Sequence, residues 1–264
     1  MPKDALSREG KEGLKTTLSN SPGLLLCCDF DGTLVPFTED PEETELPESQ
    51  KELLQDLAGL AEVHLAVISG RDFEQLTQLV PIEEVILAGN HGLNLMWEDG
   101  DVHRPELDGA IEDVISRTRE RVCGEFGDLP GIIIEDKGIG LTVHYRKYAG
   151  DTKVIKEKFY QIWSEYRIPE LELLKGAKLL EIRPSSWNKG DALKTVRREL
   201  PDMPAVYIGD DTTDEDAFAV LRDDPNGYPV FVGQDNLGGT LATHFLEDMV
   251  RVTEFLNFIY SFYR

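Results

Sequence analysis

The segment Leu24-Leu25-Leu26-Cys27-Cys28-Asp29-Phe30-Asp31-Gly32-Thr33 opens on five consecutive apolar residues and closes on two aspartates around one aromatic. An unbroken apolar run of this length reads as a strand buried on both faces, as in a parallel sheet. Period-two alternation leaves Asp29 and Asp31 on one side and turns Phe30 toward packing. Gly32 then permits a tight turn. The same design recurs along the chain. Val63 to Ile68 ends in Ser69-Gly70-Arg71, and Val85 to Ala88 ends in Gly89-Asn90-His91-Gly92. Val206-Tyr207-Ile208 ends in Gly209-Asp210-Asp211, and Val230-Phe231-Val232 ends in Gly233. Between these runs, Leu53, Leu54, Leu57 and Leu60 recur at helical spacing, as do Ala192, Leu193, Val196 and Leu200. Alternating strands and helices predict a doubly wound, mostly parallel α/β sheet. Its polar clusters fall at the carboxyl ends of strands, the edge where such sheets bind ligands.

The stretch from Pro105 to Pro184 has another rhythm. A helix carrying Ile111, Val114, Ile115, Val122 and Phe126 precedes strand-like pieces at 132–135 and 141–146. A second helix over 151–166 precedes strands at 171–174 and 178–183. The order αββαββ predicts an α+β cap at 106–184 inserted into an α/β core made of 1–105 and 185–264. Residues 39–48, acidic and carrying Pro41 and Pro47, read as an exposed connection.

The chain has 264 residues and a formal net charge of −23, from 27 basic and 50 acidic side chains. Such an excess argues against nucleic acid and anionic membranes as partners. No apolar run reaches the ~20 residues of a membrane span, and the first residues lack the apolar stretch of a signal peptide. Three cysteines, Cys27, Cys28 and Cys123, are expected as buried, reduced thiols in a cytoplasmic protein. A monomer is the default expectation.

Two carboxylates at ~4 Å repel by roughly 4 kcal/mol at an effective dielectric of 20. Asp210, Asp211 and Asp214 add to the conflict if they meet Asp29 and Asp31. A hard divalent cation with oxygen ligands resolves it, and Mg²⁺ suits a few carboxylates plus phosphate oxygens. An aspartate ending a Leu-rich strand is costly to bury without such a partner.

Four motifs in order resemble those of haloacid dehalogenase superfamily phosphatases. They are Asp29-Phe30-Asp31-Gly32-Thr33-Leu34, Ser69-Gly70-Arg71, Lys189 in Asn188-Lys189-Gly190, and Gly209 through Glu215. Gly89-Asn90-His91-Gly92, Val143 to Arg146 and Lys178 to Pro184 narrow the resemblance to trehalose-6-phosphate phosphatases, over roughly residues 24–262. One departure is Asn94, where many members carry a glutamate; it bears on the sugar contacts near His91. The resemblance implies hydrolysis of trehalose 6-phosphate through an aspartyl-phosphate. Asp29 would be the nucleophile and Asp31 the acid and base. Ser69 and Lys189 would complete the catalytic set. Mg²⁺ would be held at Asp29, Asp31 (through its main-chain carbonyl), Asp210 and Asp211, with Asp211 and Asp214 supporting. Arg71, His91, Glu135, Lys137, Lys178 and Glu181 would bind the sugar phosphate, and a trehalose-phosphate synthase is a candidate partner. Rival readings keep the chemistry with sucrose phosphate or a glucosylglycerol phosphate, turn it to a phosphomutase, or reduce the chain to a phosphosugar-binding partner of a synthase.

Local sequence leaves plainer readings open. Ser69 also fits a helix cap. Lys189 also fits a solvated lysine, although the helix dipole disfavours a cation at a helix start. Arg71 also fits a partner for an acid, and Lys137 an edge-strand charge ladder. His91 and His144 fit structural roles as well as sugar contacts. Trp187 fits packing.

Overall fold

A computed structural model describes the chain except residues 39–42, 104–107, 177, 186 and 236. The chain divides into two compact units, Met1–Arg104 with Asn188–Arg264, and Pro105–Trp187. The first boundary read from sequence lies outside the described residues. The return to the first unit follows Trp187 rather than Pro184, because the Ser185 N–H donates to the Glu170 carbonyl at 2.8 Å and ties that end to the second unit.

The first unit begins with β1 (Lys3–Asp4), α1 (Arg8–Ser19), β2 (Leu24–Cys28), α2 (Glu48–Ala58), β3 (Val63–Ile68), α3 (Phe73–Leu79), β4 (Val85–Gly89), β5 (Asn94–Met96) and β6 (Val102–His103). The second unit holds α4 (Gly109–Phe126), β7 (Ile133–Asp136), β8 (Leu141–His144), α5 (Thr152–Tyr166), β9 (Leu171–Gly176) and β10 (Leu179–Pro184). The first unit then resumes with α6 (Lys189–Glu199), β11 (Ala205–Gly209), α7 (Glu215–Arg222), β12 (Gly227–Val232), β13 (His244–Leu246) and α8 (Met249–Tyr263).

Its nine strands run in the order β1-β13-β12-β11-β2-β3-β4-β5-β6. Pairings from β1 through β4 are parallel, and only β4·β5 and β5·β6 are antiparallel. Alternation along β2 sorts its residues between two cores. Leu24, Leu26 and Cys28 face Leu14, Leu54, Leu57, Phe255 and Leu256 from α1, α2 and α8. Leu25 and Cys27 face Ala192, Leu193, Val196, Phe218 and Leu221 from α6 and α7. A sheet covered on both faces is why its strands read as unbroken apolar runs. Register then places the site. Cys28 stands opposite Ile208 of β11 and Val67 of β3. The residues that follow these three strands therefore come out side by side at one edge.

In the second unit, the antiparallel sheet β7-β8-β10-β9 lays Leu141, Val143, Leu180 and Ile182 against Val122 and Phe126 of α4 and Ile155, Phe159 and Ile162 of α5. Cys123 corrects the expectation of three buried thiols. It is exposed, because the buried stripe of α4 runs through Ile115, Thr118, Val122 and Phe126, and a neighbour of Val122 is turned off that face. The 39–48 segment is also not uniformly exposed: 39–42 lie outside the described residues, but Thr44 is buried. β1, at the edge, and β13, its neighbour, are two and three residues long, carry no apolar run and were not anticipated. No helix among the described residues is long and apolar enough to cross a membrane.

Candidate active site

Asp29 continues β2 by one residue, its N–H donating to the Ile208 carbonyl at 2.8 Å. Lys189 is the first residue of α6, whose N-cap Asn188 accepts the Asp191 N–H at 3.0 Å. The Lys189 ammonium lies 2.8 Å from Asp29 Oδ1 and 2.8 Å from Asp214 Oδ1. All three side chains are buried. Asp214 is saturated with donors: its Oδ1 also accepts the Tyr207 hydroxyl at 2.8 Å, and its Oδ2 accepts the N–H groups of Asp210 and Asp211 at 3.0 and 2.9 Å. Asp210 Oδ1 accepts the Thr33 hydroxyl at 3.3 Å. Gly32, at φ +80°, makes this approach possible. A Cβ on it would stand 2.2 Å from Asp210 Oδ2.

Carboxylate oxygens of Asp29, Asp210 and Asp214 lie within 4.8 Å of one another. Three carboxylates against one ammonium leave two uncompensated negative charges in a dry place. Proton affinities rise accordingly. Burial, then the Asp214 charge, pushes Asp210 up to about 7. The same two causes push Asp29 upward against the pull of Lys189. Burial alone would lower Lys189, but Asp214 and Asp29 hold it above its ordinary value. A compact divalent cation with oxygen ligands fits this charge deficit and this donor set.

Asp211 departs from its expected role. Its carboxylate accepts the Thr212 N–H at 2.6 Å, capping the short turn 212–214, and is exposed. Asp214, not Asp211, completes the cluster among the described residues. The Asp31 carboxylate also lies outside it. The Arg71 fork holds Asp31, with Nε donating to Oδ2 at 2.7 Å and Nη2 to Oδ1 at 2.6 Å. Arg71 Nη2 also donates to Thr44 Oγ1 at 2.7 Å, and the guanidinium lies over the Phe30 ring, 5.5 Å from its centre. Arg71 thus meets an acid, the plainer of its two readings.

Ser69 is buried and its Oγ accepts the Arg71 N–H at 3.2 Å. Asn90 and His91 both have left-handed backbones, at φ 52° and 58°. The His91 ring packs on Gly70, where a Cβ would come within 2.6 Å of it. Asn94, buried, accepts from Asn90 Nδ2 at 2.9 Å.

In the second unit, Glu135, Thr142 and Glu181 stand in register across β7, β8 and β10, on the sheet face away from α4 and α5. Lys137 Nζ donates to Glu181 Oε1 at 2.9 Å, both side chains buried. His144 Nε2 lies 2.9 Å from Glu135 Oε2. Burial pushes Glu135 upward, but His144 and Lys137 outweigh it and leave its carboxyl below the usual value. Lys178 does not join this group. It is exposed at the β9–β10 turn, with φ 70°. His64 pairs with Glu98 at 2.7 Å.

Thr44 and Tyr207 were missed. A lone threonine in an acidic segment gives no signal, and Tyr207 reads as one more apolar strand residue.

A mostly parallel sheet whose central strand ends in a lysine-paired aspartate, beside the aspartates that follow the next strand, has the fold of a haloacid dehalogenase-like hydrolase from Bacteroides thetaiotaomicron, at a TM-score of 0.64 and 15% identity over 89% of this chain and 98% of that one. A family model described as trehalose-phosphatase matches residues 27–247. The trehalose-phosphate phosphatase of Mycobacterium bovis (strain BCG / Pasteur 1173P2) is 35% identical over 235 residues, which are 86% of this chain and 59% of that protein. The chain belongs to the trehalose-phosphatase family, and spans 59% of the length of the curated relatives it matches. The C-terminal domain of a Candida albicans trehalose-6-phosphate phosphatase superposes with a TM-score of 0.79 at 24% identity, over 98% of both chains. That of a Candida albicans trehalose synthase regulatory protein gives 0.74 at 13% identity, over 94% of this chain and 97% of the other. Both likenesses show the fold alone.

Proposed function

We propose that this chain hydrolyses trehalose 6-phosphate to trehalose and phosphate. The observation that carries the reading is the Lys189 ammonium held 2.8 Å from both Asp29 and Asp214 beside Asp210. A protein that only binds a phosphosugar has no use for a buried, lysine-paired carboxylate at a strand tip. In this reading an Asp29 oxygen attacks phosphorus and the bond to the sugar oxygen breaks. Asp31 gives that oxygen its proton. Water then attacks the phosphorus of the aspartyl-phosphate, Asp31 takes its proton, and phosphate leaves with Asp29 restored. The Arg71 fork uses one lone pair on each Asp31 oxygen and leaves others for this work. Lys189 supplies positive charge to the nucleophile and the phosphoryl oxygens, and Ser69 a hydroxyl donor. Asp29, Asp210 and the Asp31 carbonyl would hold Mg²⁺, with Asp214 supporting. The ion would neutralise charge on the phosphoryl oxygens. The Lys137–Glu181 and Glu135–His144 pairs of the second unit offer the donors and acceptors that sugar hydroxyls require.

Another sugar phosphate is the second reading, and one contact favours it. Asn94 meets Asn90 amide to amide where a glutamate would place a charge near His91. Phosphate release across trehalose 6-phosphate, sucrose phosphate, glucosylglycerol phosphate and glucose 6-phosphate separates the two. Trehalose 6-phosphate is expected to show the highest kcat/KM, with activity lost in EDTA and in Asp29→Asn. Equal turnover of another ester would sink the trehalose assignment. Near-normal activity in Asp29→Asn would sink the nucleophile.

A further inference from the structure

We infer that Tyr207 is a positioning residue for the Lys189 ammonium, acting through Asp214; this rests on the hydrolysis proposed above. Tyr207 lies in β11, and its ring belongs to the core. It is fully buried and meets Phe218 edge-on, with ring centres 5.8 Å apart at 81°. Only its hydroxyl reaches the site, donating to Asp214 Oδ1 at 2.8 Å. The same oxygen accepts from Lys189 at 2.8 Å. The other oxygen of Asp214 is fixed by two backbone N–H groups. That carboxylate therefore cannot turn, and two donors share its Oδ1.

Lys189 is drawn from two sides, by Asp29 and by Asp214. How far it leans toward Asp214 depends on how much of the Oδ1 charge is already met. The phenol meets part of it. Without the phenol, Asp214 becomes the stronger acceptor, and the ammonium leans away from Asp29, the group that must meet phosphorus. A phenylalanine would fill the same core space, so the oxygen is the functional part of this residue.

The test compares Tyr207→Phe and Phe218→Leu with the wild-type chain in Mg²⁺, reading kcat, KM and thermal unfolding with trehalose 6-phosphate. Tyr207→Phe is expected to lower kcat about 10-fold while KM stays within about twofold, since Lys189 serves the phosphoryl group and not the sugar. Phe218→Leu, which loosens the same core without touching the hydroxyl, is expected to lower the melting temperature and keep kcat. In an Asp214→Asn background, Tyr207→Phe should cause no further loss of kcat. The inference is overturned if Tyr207→Phe keeps its kcat, if the two losses multiply, if both core variants lose kcat in step with stability, or if Tyr207→Phe does not fold. A wild-type chain that releases no phosphate from any sugar phosphate would instead defeat the hydrolysis reading, an outcome distinct from an active chain indifferent to Tyr207→Phe.

Discussion

Lys189 occupies a helix N-terminus, where the dipole opposes a cation, and two buried carboxylates hold it there. Removing it should therefore act twice. Lys189→Met leaves Asp29 and Asp214 buried without their counter-charge, a loss of about 3–5 kcal/mol for a broken buried pair. In the proposed reaction it also removes a preformed positive charge beside the phosphoryl group, worth roughly 100- to 1,000-fold in kcat. Urea unfolding and steady-state kinetics measure the two effects separately. Added Mg²⁺ should restore part of the stability but not the rate, because the ion meets the excess charge without replacing the ammonium. Recovery of both would show that the ion replaces the ammonium and that Lys189 has no placed role of its own. Residue by residue, the site was legible where a side chain stands in a position that is costly unless it is paired. Asp29 after a Leu-rich strand and Lys189 at a helix start are each unfavourable unless paired, and that anomaly is visible in sequence. Arg71 and Asp211 were ambiguous in sequence. Both have two ordinary uses, and the contacts they make here, Arg71 with Asp31 and Asp211 with the Thr212 N–H, are set by three-dimensional proximity that sequence does not show.

Asn188 shows how an element transmits position to a side chain. As the N-cap of α6 it accepts the Asp191 N–H, and Lys189 is the next residue. Asp151 caps α5 in the same manner, accepting the Lys153 N–H at 2.9 Å. Each substitution to alanine should cost about 1 kcal/mol of stability. In the proposed reaction only Asn188→Ala should also lower kcat, because the first turn of α6 carries the Lys189 ammonium, whereas α5 packs in the second unit. Matched loss of kcat in the two variants would show that helix fraying in general, rather than the placement of Lys189, limits the reaction. Elements were legible wherever burial wrote a pattern into them. β2, β3, β4, β11 and β12 are covered on both faces and read as apolar runs, and the αββαββ order followed from two helical patterns each trailed by two strand-like pieces. β1 and β13 escaped because a two- or three-residue strand is specified by its neighbour's free edge, not by its own composition.

At the scale of the molecule, acid should act through two opposing terms. With a net charge of −23, the folded chain repels itself more than the expanded one. Acid neutralises part of that charge, so the self-repulsion fades and this term gains stability as pH falls. His244 works the other way. Its ring stacks on Tyr228 at 3.7 Å, and burial, then the nearby Lys3 charge, pulls it from 6.5 down to about 4. Folding therefore excludes a proton that the unfolded chain accepts. The stability this histidine contributes is complete above 6.5 and is lost as pH falls toward 4. The loss amounts to about 1–2 kcal/mol once partial exposure to solvent is allowed for. His244→Phe keeps the stack on Tyr228 and removes the titration. Urea midpoints from pH 7 to pH 4.5 should then fall away from the variant's in the wild type, starting near pH 6.5. Raising NaCl from 0.05 to 0.5 M should flatten the carboxylate term in both proteins, since the screening length shrinks from roughly 14 Å to roughly 4 Å. It should leave the gap between them nearly intact, because the His244 shift comes chiefly from burial, which salt does not screen. Parallel pH curves for the two proteins would mean that His244 is protonated in the folded state and that its contact with Tyr228 tolerates the charge.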